Sequence, residues 1–163
     1  MSKRPAEGSL PRPAKQPQPA RGMRYLCDQL RLMLSGTRFL VDADESDVTK
    51  WTIGIPRRTL VRRGQSDLAN QLSQWAQRTR KDDTIVLAAQ FPMTFPEDPP
   101  FVRVVRPRFV YRTGHVTIGG SFCTELLTPS GWHKMSVEVL LHHICDMLSS
   151  GNAVVQLESD QHC

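Results

Sequence analysis

Cys123 is the residue in this sequence best placed for covalent chemistry. It sits in Gly119-Gly120-Ser121-Phe122-Cys123-Thr124, a glycine- and hydroxyl-rich run with no helical or strand periodicity. A thiol of ordinary acidity, pKa about 8.5, is a few per cent thiolate at neutrality, and the thiolate is the nucleophile. Acyl transfer through it also needs a hydrogen-bond donor for the oxyanion that develops in the transition state; removing one such donor typically costs ~10²–10³ in rate. His115, Thr117 and the backbone N–H groups of Gly119 and Gly120 are the candidates within a few residues.

The other reactive side chains carry less. Cys27 and Cys145 fall within helical patterns and read as small buried apolar residues, and Cys163 is terminal. The four cysteines form no C-x-x-C pair, which argues against a disulfide framework or a zinc site. His142 and His143 would point about 100° apart on a helix, and no second ligand pair has suitable spacing. Glu125 reads as a structural hydrogen-bonding residue. Neither a metal nor a cofactor is expected.

The elements that must position Cys123 are legible from apolar spacing. Leu26, Leu30, Met33 and Leu34 fit one helical face that Gly36 would close. Thr37–Ala43 and Val48–Ile55 read as strands joined by the polar turn Asp44–Asp47, with Trp51, Ile53 and Ile55 on one side of the second. Residues 57–83 interrupt the strands with a helical insertion: Ser66 is its expected cap, and Leu68, Leu72 and Trp75 form its apolar face. The arginines at 57, 58, 62 and 63 read as a solvated surface. Thr84–Phe91 is a strand, and the prolines at 92, 96, 99 and 100 preclude regular structure before a further strand, Phe101–Val105. A last helix follows, capped by Ser136, striped by Val137, Leu140, Leu141, Ile144, Met147 and Leu148, and stopped at Gly151. Consecutive strands with short turns imply an antiparallel meander with helices packed on it, an α+β fold.

Charge and composition narrow the class. Lys3, Arg4, Arg12, Lys15 and Arg21 against Glu7 place four of the five net positive charges in residues 1–22. That stretch holds five of the twelve prolines and no aromatic residue, so it reads as a disordered tail before a domain spanning 23–163. With the rest nearly neutral, specific nucleic-acid binding loses its main support. No apolar run approaches the roughly 18–20 residues that cross a bilayer. The first residues lack the apolar centre of a secretory signal, so the expected location is the cytoplasm, the nucleus or both, without membrane partners.

The strand, then FP-x-x-FPEDPP-F-x-R-V, then GG-x-x-C-x-ELLT-x-x-GW, then an amphipathic helix resemble the ubiquitin-conjugating-enzyme family. Gly119–Trp132 resembles its Q-type branch in particular, and the likeness extends over about residues 23–157. The fold it implies has an N-terminal helix, a four-stranded antiparallel meander and a central helix, here with reduced C-terminal helices. By the same resemblance Cys123 takes the position of the thioester-forming cysteine. Trp132 falls beside the active-site flap, one residue further along than in most members, and Pro99 and Pro100 fall in a loop that ligases grip. The implied partners are ubiquitin or a ubiquitin-like modifier, an activating enzyme, a ligase and a substrate protein.

Two departures qualify the match. Thr113-Gly114-His115 stands where most members carry His-Pro-Asn, as the Q branch does not, which leaves the oxyanion donor open among His115, Gly119 and Gly120. The chain also stops soon after the central helix. A non-catalytic adaptor that binds ubiquitin or a ligase is the alternative function; a papain-like hydrolase fits poorly, because Cys123 lacks that family's local signature.

Overall fold

In the computed structural model, which describes residues 8, 10, 11 and 18–158, helix α1 (Gln18–Leu34) precedes a four-stranded sheet. Its strands are β1 (Leu40–Ala43), β2 (Lys50–Pro56), β3 (Thr84–Gln90) and β4 (Phe101–Arg106). Helices α2 (Arg57–Arg62) and α3 (Ser66–Thr79) fall between β2 and β3, and α4 (Val137–Ser150) comes after the sheet. The strands pair in chain order and antiparallel throughout, the expected meander. Among the described residues no helix follows α4, and none is long and apolar enough to cross a membrane.

Period-two alternation builds the core. Trp51, Ile53 and Ile55 on β2 lie opposite Ala89, Leu87 and Ile85 on β3, and every one of them is buried. Val102 and Val104 continue that face on β4, and the α4 stripe Leu140, Leu141, Ile144 and Leu148 joins the same core. Helix α4 starts as expected: the Ser136 hydroxyl accepts from Val139 N–H at 3.2 Å. A second orphan donor of its first turn, Val137 N–H, reaches the buried Gln29 side-chain oxygen on α1 at 2.9 Å.

Several boundaries differ from the sequence reading. Helix α1 begins at Gln18, inside the stretch read as tail, while residues 1–7, 9 and 12–17 of that tail lie outside the described residues. The reason is tertiary: Gly22 is buried against the proline-rich loop, where a Cβ would lie 2.2 Å from the Met93 carbonyl oxygen. No apolar periodicity announces a contact made through a missing side chain. Leu34, placed on the apolar face, is exposed, because the helix ends there and the chain turns away. Strand β1 begins at Leu40 rather than Thr37. Ser66 is the first residue of α3 rather than its cap; Gln65 holds the cap position and makes no capping bond with its side chain.

Leu68, Leu72 and Trp75 are buried as their spacing predicts, and the insertion is fastened to α4. Gln65 donates to the Cys145 carbonyl at 2.7 Å. The Arg63 guanidinium donates to Nδ1 of His142, to the His142 carbonyl at 3.3 Å, and to the Asp146 carboxylate. Nδ1 can accept only when it carries no proton. Burial first, and the neighbouring Arg63 charge second, hold the His142 pKa below its ordinary value, outweighing Glu138 and Asp146. Cys145 is fully buried, and burial pushes its thiol up to about 12; it is a packing residue.

These contacts set two measurable expectations. A chain starting at Met23 should melt several degrees below one starting at Gln18, since only the second keeps the Gly22 contact; equal melting temperatures would restore the boundary at 23. Because the unfolded chain protonates His142 before the folded one does, stability should be intact above about pH 6.5 and decline as pH falls below it. His142→Asn keeps an acceptor without a titration, so thermal melts between pH 7.5 and 5.5 should show a shallower decline than wild type.

Candidate active site around Cys123

Residues 115–123, read as a loop, form a short hairpin. Val116 bridges Phe122, Thr117 N–H donates to the Ser121 carbonyl at 2.8 Å, and Gly120 N–H closes the turn onto the Thr117 carbonyl at 3.0 Å. Gly120 takes a φ of 90°, the left-handed geometry that lets a tight turn rejoin its strands. The Thr117 and Ser121 hydroxyls meet at 2.8 Å across the neck. Cys123 N–H then donates to the His115 carbonyl at 2.7 Å, which places the thiol on the hairpin's last rung.

The hairpin is docked on the edge of the sheet. Val104 N–H donates to the Gly120 carbonyl at 2.8 Å, and Arg103 bridges Ser121. Phe122 and Val116 are buried beneath it, while Cys123 is exposed. Alternation along the strand explains this contrast, since successive side chains take opposite faces.

Cys123 opens on a cleft of about 610 Å³ walled by Tyr111, Arg112, His115, Val116, Thr117, Ile118, Gly119 and Gly151. Tyr111 and Ile118 are 60% and 56% exposed, so the mouth is apolar and accessible. His115 is exposed, with φ 58°, and its ring edge comes to 2.8 Å from where a Cβ on Gly151 would stand. The structure thus brings Cys123, His115 and Gly119 together. Gly120 is not equivalent to Gly119: its N–H and its carbonyl are both engaged, in the turn and on β4. Among the described residues no three His, Cys, Asp or Glu side chains gather as a metal site.

No protein-family model matches the chain. Over 80 residues, 48% of its length, it is 44% identical to the human protein called ubiquitin-conjugating enzyme E2 Q1, of which that stretch is 18%. Over 68 residues, 41% of each chain, it is 43% identical to a human ubiquitin-conjugating enzyme designated Q-like protein 1. Its fold matches that of human ubiquitin-conjugating enzyme E2 G1 with a TM-score of 0.54, over 80% of this chain and 96% of that one, at 19% identity. The chain is a Q-type member of the ubiquitin-conjugating family. The matched stretches take in less than half the length of either Q-type relative.

In this Q-type chain Trp132, expected at the flap, does not line the Cys123 cleft. It is buried, donates its indole N–H to the Pro96 carbonyl at 2.9 Å, and stacks at a tilt on Phe95 at 6.2 Å. Its role is to anchor the 125–132 segment to the proline-rich loop. Pro99 is half-buried and Pro100 buried, leading into Phe101, which is exposed. Sequence reasoning missed Tyr111, Ile118 and Gly151 as cleft walls. Their only signal was that two apolar residues and a glycine lie in or beside weakly periodic segments, which does not say that they converge.

Proposed function

We propose that this chain accepts ubiquitin from an activating enzyme as a thioester on Cys123 and passes it to a substrate lysine or to a ligase. The observation that carries this reading is an exposed thiol, its own amide held by the His115 carbonyl, on a hairpin docked at the edge of a ubiquitin-conjugating fold. The Cys123 thiolate attacks the carbonyl carbon of the incoming thioester. A new C–S bond forms, the old one breaks, and the activating enzyme's thiolate leaves. In the second step a lysine amine attacks the same carbon; a C–N bond forms, Cys123 leaves as thiolate, and the amine proton passes to solvent. Exchange between thiols is nearly balanced, so the site must orient and stabilise rather than supply driving force. Support for the anion formed during amine attack is assigned to His115 and the Gly119 N–H, the two candidates beside Cys123 that the turn leaves available.

The cargo, the activating enzyme and the ligase are carried over from the family and belong to this proposal. Incubation with activating enzyme, ATP and ubiquitin should yield a thiol-reducible adduct that Cys123→Ala abolishes. An adduct retained by Cys123→Ala would sink the assignment, and a wild type that never charges with competent reagents would favour the adaptor reading. His115→Ala should leave charging nearly intact while slowing single-turnover discharge to free lysine by about 10–100-fold. Unchanged discharge would remove the imidazole from the mechanism and leave the Gly119 N–H.

A further inference from the structure

The extended segment 153–155 runs beneath the Cys123 cleft and is bonded on two edges. On one edge Val110 N–H donates to the Val154 carbonyl at 2.8 Å, and Val154 N–H donates to the Thr113 hydroxyl at 3.0 Å. On the other edge stands no strand. The side chain of Gln71, in the middle of α3, fills that place: Val155 N–H donates to its amide oxygen at 2.8 Å, and its amide nitrogen approaches the Ala153 carbonyl at 3.5 Å. A primary amide offers one C=O and N–H donors, the groups a neighbouring strand would present. Ala153 and Val155 are 7% and 4% exposed, so the backbone groups that Gln71 meets have little access to water.

From this segment to the thiol the path is short and continuous. Thr113, held by Val154, precedes Gly114, whose N–H donates to the Gly151 carbonyl at 2.9 Å. Gly114 precedes His115, whose carbonyl holds Cys123 N–H. We propose that Gln71 is a positioning residue for the Cys123 hairpin, acting through 153–155 and Thr113–His115. The insertion between β2 and β3 is then a working part of the site: its helix fixes the floor on which the cysteine hairpin stands. The catalytic consequence rests on the Cys123 thioester reading; the mechanical coupling does not.

Amide hydrogen exchange on the full chain separates the two. Gln71→Leu keeps the apolar bulk and removes both polar atoms, leaving Val155 N–H unsatisfied. Exchange across 108–123 should rise about tenfold while the core strand 84–91 is unchanged. Gln71→Glu keeps the acceptor for Val155 N–H and should return most of the protection. Gln71→Asn, whose shorter amide cannot span the gap, should behave like Gln71→Leu while remaining polar. In the activity arm, Gln71→Leu should slow discharge from charged Cys123 several-fold with the half-saturating activating-enzyme concentration for charging unchanged. Equal increases in 84–91 and 108–123 would reduce Gln71 to general stability and overturn the proposal, as would an increase confined to 150–158. A wild type that cannot be charged refutes the thioester reading, and the exchange data still decide the coupling.

Discussion

The hydrogen bond from Val104 N–H to the Gly120 carbonyl, 2.8 Å long, is the constraint on which the candidate site depends. It ties the turn of a glycine-rich segment to the outermost strand of the sheet. Without it, residues 115–123 would be a loop free to sample many conformations, and each ordered residue costs about 1–2 kcal/mol of backbone entropy. With it, the hairpin inherits the rigidity of β4 and its alternation, so Phe122 points into the core and Cys123 toward solvent. An exposed thiol on a fixed backbone suits acyl transfer, in which orientation of the reacting atoms contributes much of the rate.

The docked hairpin needs support from behind, and the molecule supplies it with polar side chains as much as with packing. Arg63 and Gln65 bind the insertion to α4, and Gln71 binds it to 153–155. Each such bond contributes about 1 kcal/mol net, but leaving its buried partner unsatisfied costs about 1–3 kcal/mol. The penalty for disorder therefore exceeds the reward for order, which makes these contacts specify one arrangement. Gln29 acts in the same way where α1 meets the first turn of α4.

A run of aromatic rings holds the opposite side. Tyr25 on α1 meets Phe95, Phe95 meets both Phe91 and Trp132, and Phe91 meets Trp51 on β2. Centroid separations of 4.6–6.2 Å and tilted or edge-on planes are the favoured aromatic geometries. Phe95 is thus the point where the proline-rich loop, the first helix and the 125–132 segment meet. The loop that lacks regular structure is held by side chains instead of by a backbone ladder.

Much of this was legible in the residues alone. The period of Trp51-Ile53-Ile55 and of Leu140-Leu141-Ile144-Leu148 specified a buried strand and a buried helix face, because alternation and 3.6-residue spacing are local properties of the chain. The Ser136 cap and the choice of Cys123 over Cys145 also followed from local composition. Tertiary structure alone decided the first turn of α1, whose signal is the space left by Gly22, and the burial of Trp132 on Phe95. It also decided that the His115 carbonyl meets Cys123 N–H and that Gly120 has no N–H left to offer. These facts depend on how closely segments tens of residues apart approach, and that distance is set by the shape of the packed core, which no local pattern records.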